Sequence, residues 1–430
     1  MPVMALPKLM SKQTKQNDIP KGWKKVKLSE LLVEVNERNR ERAELPVLSV
    51  TNSRGFVLQS EQFARNLHSK NTSNYKIVSK EQFAYNPARI NVGSIALLRK
   101  WEKGLLSPMY VVFGTKSELL NDYLHYYIQS PRFSVQVSNN TAGSVRKSLN
   151  FNAFEHFDYV YPESKPEQKK IVEVLASVDE EIEKTKEVIK TTEKLKKGLM
   201  QHLFTRGIGH AKFKPTELGE IPESWEVRTL QKLLDKKFVV SHLDGNHGGL
   251  YPRTTEFVQQ GVPYLSANCI ENGVINFSKA KFLTEQRAGK FVKGVAKDGD
   301  ILFAHNATVG PVAKLNTDLD YVILSTTLTY YRTDENYLKS EYLLYFLQSP
   351  LFVNQYEKVM SQSTRNQVPI TMQRKFLHAL PPVYEQKEIA GVLSAVDEKI
   401  AVNKKLLAKQ TELKKGLMQD LLSGVKRVKV

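Results

Sequence analysis

The sequence predicts an α+β fold in which two α/β domains alternate with two long helices, the helices pairing as an antiparallel coiled coil with pseudo-twofold symmetry. Three observations predict it. Pro166 to Phe204 (PEQKKIVEVLASVDEEIEKTKEVIKTTEKLKKGLMQHLF) and Tyr384 to Leu422 (YEQKEIAGVLSAVDEKIAVNKKLLAKQTELKKGLMQDLL) match without a gap at an offset of 218 (166 to 384). Both stretches carry a seven-residue apolar repeat, the signature of a helix with a packing seam. Between them lie short β-branched and aromatic runs bounded by Gly, Asn and Pro, which read as strands and turns.

The elements follow in order. Residues 1–18 form a polar tail. The first domain, 19–163, opens on Ile19-Pro20-Lys21-Gly22-Trp23. The second, 219–382, opens on Ile221-Pro222-Glu223-Ser224-Trp225, and each opening leads through a short strand to a helix. The domain interiors share little sequence; SIALLR, MYVVFG, GDILFA and YVILSTTLTYY are their strand-like runs. Toward each domain's end, Tyr123–Phe133 (YLHYYIQSPRF) matches Tyr342–Phe352 (YLLYFLQSPLF), a short helix stopped by Ser-Pro. The long helices cover 164–208 and 384–425. In the first, Ile171, Val178, Thr185, Thr192 and Leu199 recur every seven residues beside Leu175, Ile182 and Ile189. In the second, Ile389, Val396, Asn403, Gln410 and Leu417 stand beside Leu393, Ile400 and Leu407. An amphipathic helix this long needs a partner. Each helix packs on its own domain, or the two pack on each other; the regularity of the repeat favours mutual pairing, with the polar seam positions fixing register. Antiparallel pairing avoids crowding both domains at one end, and a helix of about 38 residues spans about 57 Å.

Composition narrows the function. The 430 residues carry 63 Lys+Arg against 45 Asp+Glu, a net charge of +18, which favours a polyanionic partner. Cys269 is the single cysteine, excluding a disulfide framework or multi-cysteine zinc site. No apolar run is long enough for a membrane span, and a cytoplasmic location is expected. There is no GxxxxGK[ST] loop, no HExxH and no zinc spacing. Asn86-Pro87-Ala88-Arg89 begins like an amino-methyltransferase motif but lacks its second proline and aromatic residue. His242, His247 and His305 are scattered, and Glu180/Glu181 and Asp397/Glu398 sit on charged helix faces. No catalytic and no metal-binding residue is expected.

The repeated residues resemble the specificity subunit of type I restriction–modification systems. The carriers are the two I-P-x-x-W openings, QSPxF at Gln129 and Gln348, the EQK starts at Glu167 and Glu385, and the endings KKGLMQHLF and KKGLMQDLL. Tyr85–Ser94 with Ser107–Tyr110, and Gly299–Leu302 with Val309–Ala313, are similar to two recognition-domain types of that family. The resemblance implies two target-recognition domains, each reading half of a bipartite sequence in double-stranded DNA. It implies that the helices are a spacer and a docking surface for two methyltransferase subunits and for restriction (translocase–nuclease) subunits. S-adenosylmethionine, ATP and Mg would sit on those partners and no cofactor on this chain. Candidate DNA contacts are Ser144, Arg146 and Lys147 in one polar loop and Ser363, Arg365 and Asn366 in the equivalent loop. Arginine can bridge guanine and asparagine can pair with adenine, while serine and lysine suit phosphates. Arg89, Lys100, Lys103, His305, Asn306 and Thr308 are further candidates by residue type. The seam residues are Ile171, Leu175, Val178, Ile182 and Ile189 with Ile389, Leu393, Val396, Ile400 and Leu407.

Two other readings compete. A stand-alone nuclease or methyltransferase would act on DNA without partners. A coiled-coil adaptor would bind proteins and no nucleic acid.

Overall fold

A computed structural model describes residues 19–62, 71–141, 148–362 and 364–429. The chain forms two compact units. Unit 1 holds the described residues up to Lys186 together with those from Lys405 onward; unit 2 spans Glu187–Lys404. Both boundaries fall inside long helices, so each unit owns a part of each.

In unit 1, β1 (Trp23–Lys27) leads through a 3₁₀ turn (Leu28–Leu31) to β2 (Leu32–Val35). β3 (Phe83–Tyr85), β4 (Ile95–Leu97) and β5 (Val111–Thr115) join β2 in an antiparallel sheet of order β2-β5-β3-β4. α1 (Asn121–Ile128) and α2 (Pro131–Thr141) follow, and β6 (Asp158–Pro162) returns to pair with β1. The Ser-Pro expected to stop the first short helix also starts the next. Ser130 Oγ donates to Tyr127 O at 2.6 Å, and a proline lacking its N–H fits the first turn of α2. α3 (Lys165–Arg206) is the first long helix. Two antiparallel ribbons, Leu48–Thr51 with Gly55–Leu58 and Lys76–Ser79 with Lys103–Leu106, complete the unit.

Unit 2 repeats this plan. β7 (Glu226–Thr229), α4 (Leu230–Asp235) and β8 (Val239–Asp244) open it. β9 (Ile301–Asn306), β10 (Thr308–Lys314) and β11 (Leu328–Thr333) complete a second antiparallel sheet, of order β8-β11-β9-β10. α5 (Ser340–Phe346), α6 (Pro350–Ser361), α7 (Ile370–Gln373) and β12 (Leu377–Leu380), which pairs with β7, lead into α8 (Val383–Ser423). The unmatched interior is accounted for between β8 and β11. There unit 2 carries a five-stranded sheet centred on Val262–Leu265, where the described residues of unit 1 form two ribbons.

The sequence motifs common to both copies are joints between domain and helix. Trp23 Nε1 donates to Glu167 Oε1 at 3.3 Å, and Trp225 Nε1 donates to Glu385 Oε2 at 2.9 Å. The next residue, Gln168 or Gln386, turns its amide into the domain. Gln168 donates to Glu118 O and Pro162 O and accepts from Leu120 N; Gln386 donates to Tyr337 O and Pro381 O and accepts from Lys339 N. Both glutamates and both glutamines are buried. Burial without partners would be costly for each, so the I-P-x-x-W and E-Q motifs are halves of one lock.

The helices run antiparallel within each unit. In unit 1, Lys414 Nζ lies 2.6 Å from Asp179 Oδ1, and Tyr126 OH donates to Asp179 Oδ2 at 3.0 Å. In unit 2, Lys196 Nζ lies 2.7 Å from Asp397 Oδ1, and Tyr345 OH donates to Asp397 Oδ2 at 3.0 Å. The two triads are the same residues at the repeat offset. Lys404 adds a pair to Glu193 in unit 2.

The seam is divided between the two alternatives. Ile171 and Leu175 are fully buried in unit 1's core with Met418, Leu421 and Leu422. Ile389 and Leu393 are buried in unit 2's core with Met200, Leu203 and Phe204. At these positions each helix serves its domain as well as its partner helix, burial worth about 1.5–3 kcal/mol per side chain. Ile182 and Ile400 are buried, whereas Val178, Ile189, Val396 and Leu407 are half-buried. Three of the four polar seam residues bond along their own helix and not across the seam, and the buried Oε1 of the fourth, Gln410, has no hydrogen-bond partner. Thr185 Oγ1 donates to Glu181 O, Thr192 Oγ1 to Val188 O and Asn403 Nδ2 to Lys399 O, each on its own helix. The lysine–aspartate pairs are the polar links between helices that both units repeat, with Lys404–Glu193 added in unit 2. Among the described residues no helix is long and apolar enough to cross a membrane.

Candidate nucleic-acid interface

Strand polarity gathers four segments at one end of each sheet. In unit 2, β8 ends at Asp244 opposite Thr329, near the start of β11, and β9 turns into β10 beside Leu328. The turn is Asn306-Ala307-Thr308. Ala307 adopts φ of 64°, unusual for a residue with a Cβ. The loop before α7 holds it there: Ala307 N donates to Asn366 O at 3.0 Å, and Asn366 Nδ2 donates to Ala307 O at 2.7 Å. One residue-pair deeper, Val368 N donates to His305 O at 2.8 Å and His305 Nδ1 donates to Val368 O at 3.0 Å. The turn and the loop are thus one braced edge, with Ala307, Thr308, Thr364, Arg365 and Asn366 exposed.

Unit 1 has the same plan in looser form. β2 ends opposite Val112, and β3 ends opposite Val111 and Ile95, so residues 36–42, 86–94 and 107–110 share one end. Asn86 Oδ1 accepts from Ala88 N at 3.0 Å, Asn86 Nδ2 approaches Met109 Sδ at 3.6 Å, and Leu149 N donates to Pro87 O at 3.0 Å. Leu149 stands at the repeat position of Val368 (offset 219, 149 to 368). Arg89 is exposed on this loop.

The structure separates the sequence candidates. Arg365, Asn366, Asn306 and Thr308 come together at unit 2's edge. His305 is buried behind them and holds the loop, so it is an interior brace and not an exposed contact. Asn366 spends one amide hydrogen on Ala307 and keeps its other donor and its Oδ1. Arg89 lies at the corresponding end of unit 1. Lys100 and Lys103 do not: Leu98 O accepts from Glu81 N, placing the segment after β4 at the far end of the β3–β4 hairpin. Lys100 rests over Trp101 at 4.7 Å. Ser144, Arg146, Lys147 and Ser363 lie outside the described residues.

Two further segments at these ends escaped the sequence reading. In unit 1, buried Asn39 accepts from Ala43 N at 2.8 Å and donates to Ala43 O at 3.1 Å, shaping a turn that exposes Arg40 and Arg42. In unit 2, the Gly245–Gly249 run exposes Asn246 and leads to exposed Tyr251 and Arg253. The glycine run is its sequence signal, and the structure gives the reason: a Cβ on Gly245 would lie 2.2 Å from the carbonyls of Leu324 and Ser325, so this loop can press against the sheet only as glycine.

The histidines beneath the exposed edge carry no charge near pH 7. Burial lowers His242 to about 3 and His378 to about 4, and lowers His305 and His247 as well. These rings are neutral near pH 7, and positive charge is left to the exposed arginines and lysines.

Comparison with known proteins supports the duplicated architecture. The family described as the type I restriction modification DNA specificity domain matches residues 20–191 and 222–411, one match per copy. The chain is 30% identical over 346 residues to the type I restriction enzyme MjaVIII specificity subunit of Methanocaldococcus jannaschii, covering 79% of this chain and 77% of that protein. It is also 30% identical over 218 residues to the putative type I restriction enzyme MjaX specificity subunit of the same organism, covering 49% and 48%. Its fold resembles that of a chain solved in work on assembly and conformational transition of the type I R-M system, with TM-score 0.60, 16% identity and coverage of 94% and 98%. It likewise resembles the S subunit of a type I restriction–modification system from M. genitalium, with TM-score 0.55, 14% identity and coverage of 95% and 97%. The duplicated domain–helix frame, matched once per copy, is that of a DNA-specificity scaffold. The chain belongs to the family of type I restriction–modification specificity subunits.

Proposed function

We propose that each unit reads one half of a split duplex-DNA sequence and that the long helices carry two methyltransferase subunits, with restriction subunits joining the complex. The observation that carries this reading is the sheet-end edge built twice on one frame from different residues. A shared frame serves shared partners, and different edges serve different half-sites. Arg365, Asn366, Asn306 and Thr308 are the proposed contacts in unit 2 and Arg89 in unit 1, with Ser144, Arg146, Lys147 and Ser363 retained from the sequence. The docking proposal draws on the helices' outer faces. Val188 and Leu195 on α3 and Leu406 and Leu413 on α8 are exposed apolar residues at matching repeat positions, one pair in each unit. Matched apolar patches suit two copies of one partner. On this reading the chain is non-catalytic and cytoplasmic, and S-adenosylmethionine, ATP and Mg belong to the partners.

The test is co-expression with the partner methyltransferase followed by methylome sequencing. One split adenine-methylated motif is expected; its absence would leave the adaptor reading standing. Replacing residues 219–382 by another recognition domain should change one half of the motif only.

A further inference from the structure

Gln373, fully buried at the end of α7, joins the sheet of unit 2 to its exposed edge. Its Oε1 accepts from Tyr331 OH at 2.9 Å, from Thr329 Oγ1 at 3.1 Å and from His242 Nε2 at 3.1 Å. These donors stand on β8 and β11. Its Nε2 donates to Val368 O at 3.0 Å, so the fourth bond reaches the loop. Val368 is the residue clamped in both directions to His305, two residues beyond Asn366 and its grip on Ala307. A continuous chain of bonds therefore runs from the middle of the sheet through one amide to the exposed turn.

The fold does not need an amide here. Unit 1 fills the repeat position (offset 219, 154 to 373) with Phe154, packed edge-on against Tyr85 at 5.7 Å. A buried amide is tolerated only when its bonds are made, and hydrogen bonds of fixed direction hold the groups they join more sharply in place than apolar packing does; here every bond through the Gln373 amide is made, while His242 Nδ1 and His305 Nε2 stay unpartnered. What this network fixes is the height of the 364–368 loop against the 306–308 turn.

We propose that Gln373 is a positioning residue for sequence recognition by unit 2, setting where Arg365, Asn366 and Thr308 meet the bases. The proposal rests on the half-site reading above. Displacing a base-reading loop by a fraction of an ångström weakens the discrimination of its bases and leaves distant contacts untouched.

The test uses the full chain co-expressed with its methyltransferase and reads methylation at sites with a correct or a single-mismatch half. Gln373→Glu keeps an acceptor for Tyr331 and Thr329 but sets a carboxylate against the Val368 carbonyl. Gln373→Met keeps the length and removes every polar atom. Both are expected to lower discrimination in one half of the motif by about tenfold and to leave the other half unchanged. If a variant fails to fold, Tyr331→Phe removes a single donor and should lower discrimination in the same half by about threefold. Folded variants with both halves unchanged would overturn the proposal, as would equal losses in both. A wild-type chain giving no split motif would instead sink the half-site reading itself.

Discussion

The two sheet ends use opposite materials beneath the same plan. In unit 1 the layer under the exposed loops is aromatic: Tyr85 meets Phe113 and Phe154 edge-to-face and those two rings tilt against each other, with centroids 5.7–6.1 Å apart. In unit 2 Tyr331 and Gln373 stand where unit 1 has Phe113 and Phe154, hydrogen-bonded to each other, and Gln373 reaches His305 through Val368. The surrounding frame barely changes. The tryptophan–glutamate lock and the tyrosine–aspartate–lysine triad occur in both units. Where the two copies meet the same demand they keep the same residues, and where they meet different ones even the buried support has been rebuilt. The exposed edge and the layer beneath it form one recognition element.

The largest expected effect breaks the shared frame. Trp225→Ala removes a fully buried indole and leaves Glu385 without one of its donors. A loss of about 3–5 kcal/mol is expected, measured by chemical denaturation. Trp23→Ala should cost less, because its hydrogen bond is the longer of the two (3.3 against 2.9 Å); both glutamates keep other donors, Arg427 for Glu167 and Ile208 N with His210 Nε2 for Glu385. An equal loss would show that the indole's burial alone sets the effect.

Acid should separate the units next. Unit 2 buries His242, His247, His305 and His378, each held below its ordinary value chiefly by burial. Among the described residues of unit 1, only His125 is comparably lowered, to about 4. These rings are neutral when folded, whereas the unfolded chain takes up protons near pH 6.5. Their contribution to stability is present above pH 6.5 and is lost as pH falls from there toward 4. Hydrogen exchange at pH 7 and pH 5 should find unit 2 loosening first, and parallel loosening would break the comparison.

How much of this was legible in the sequence follows the same division. The duplicated frame was legible because its residues repeat: seven-residue spacing gave the helices, and I-P-x-x-W with E-Q marked a joint whose bonds were not foreseen. The edges were less legible. Asn306 and Asn366 stand 60 positions apart in the chain, and only the fold brings the turn and the loop together. His305 looked like a contact because its type suits DNA, yet an isolated histidine after a run of strand residues is more simply part of the strand. Gln373 stands before a charged Arg-Lys pair, a context typical of surface residues, and burial of its amide shows only once its four partners are placed.

Smaller effects sharpen the account of register. Asp179→Asn and Asp397→Asn each weaken one lysine pair with side chains 36% and 40% exposed. Each should cost about 0.5–1 kcal/mol, nearly equally, in thermal unfolding.

The smallest change expected is at the threonines of the seam. Thr185 and Thr192 are buried, but their hydroxyls bond the carbonyls four residues earlier on the same helix. Such back-bonding satisfies the hydroxyl without helping the helix. Valine has the same branched shape and replaces the hydroxyl with a methyl group at a position already withdrawn from water. Thr185→Val and Thr192→Val should therefore shift stability by no more than about 0.5 kcal/mol, with helix pairing unchanged. If the double variant instead lost about 2 kcal/mol or more, the polar seam would be setting register after all. If it stayed silent while Asp179→Asn did not, register would lie with the lysine–aspartate pairs, the one polar link between helices that both units repeat.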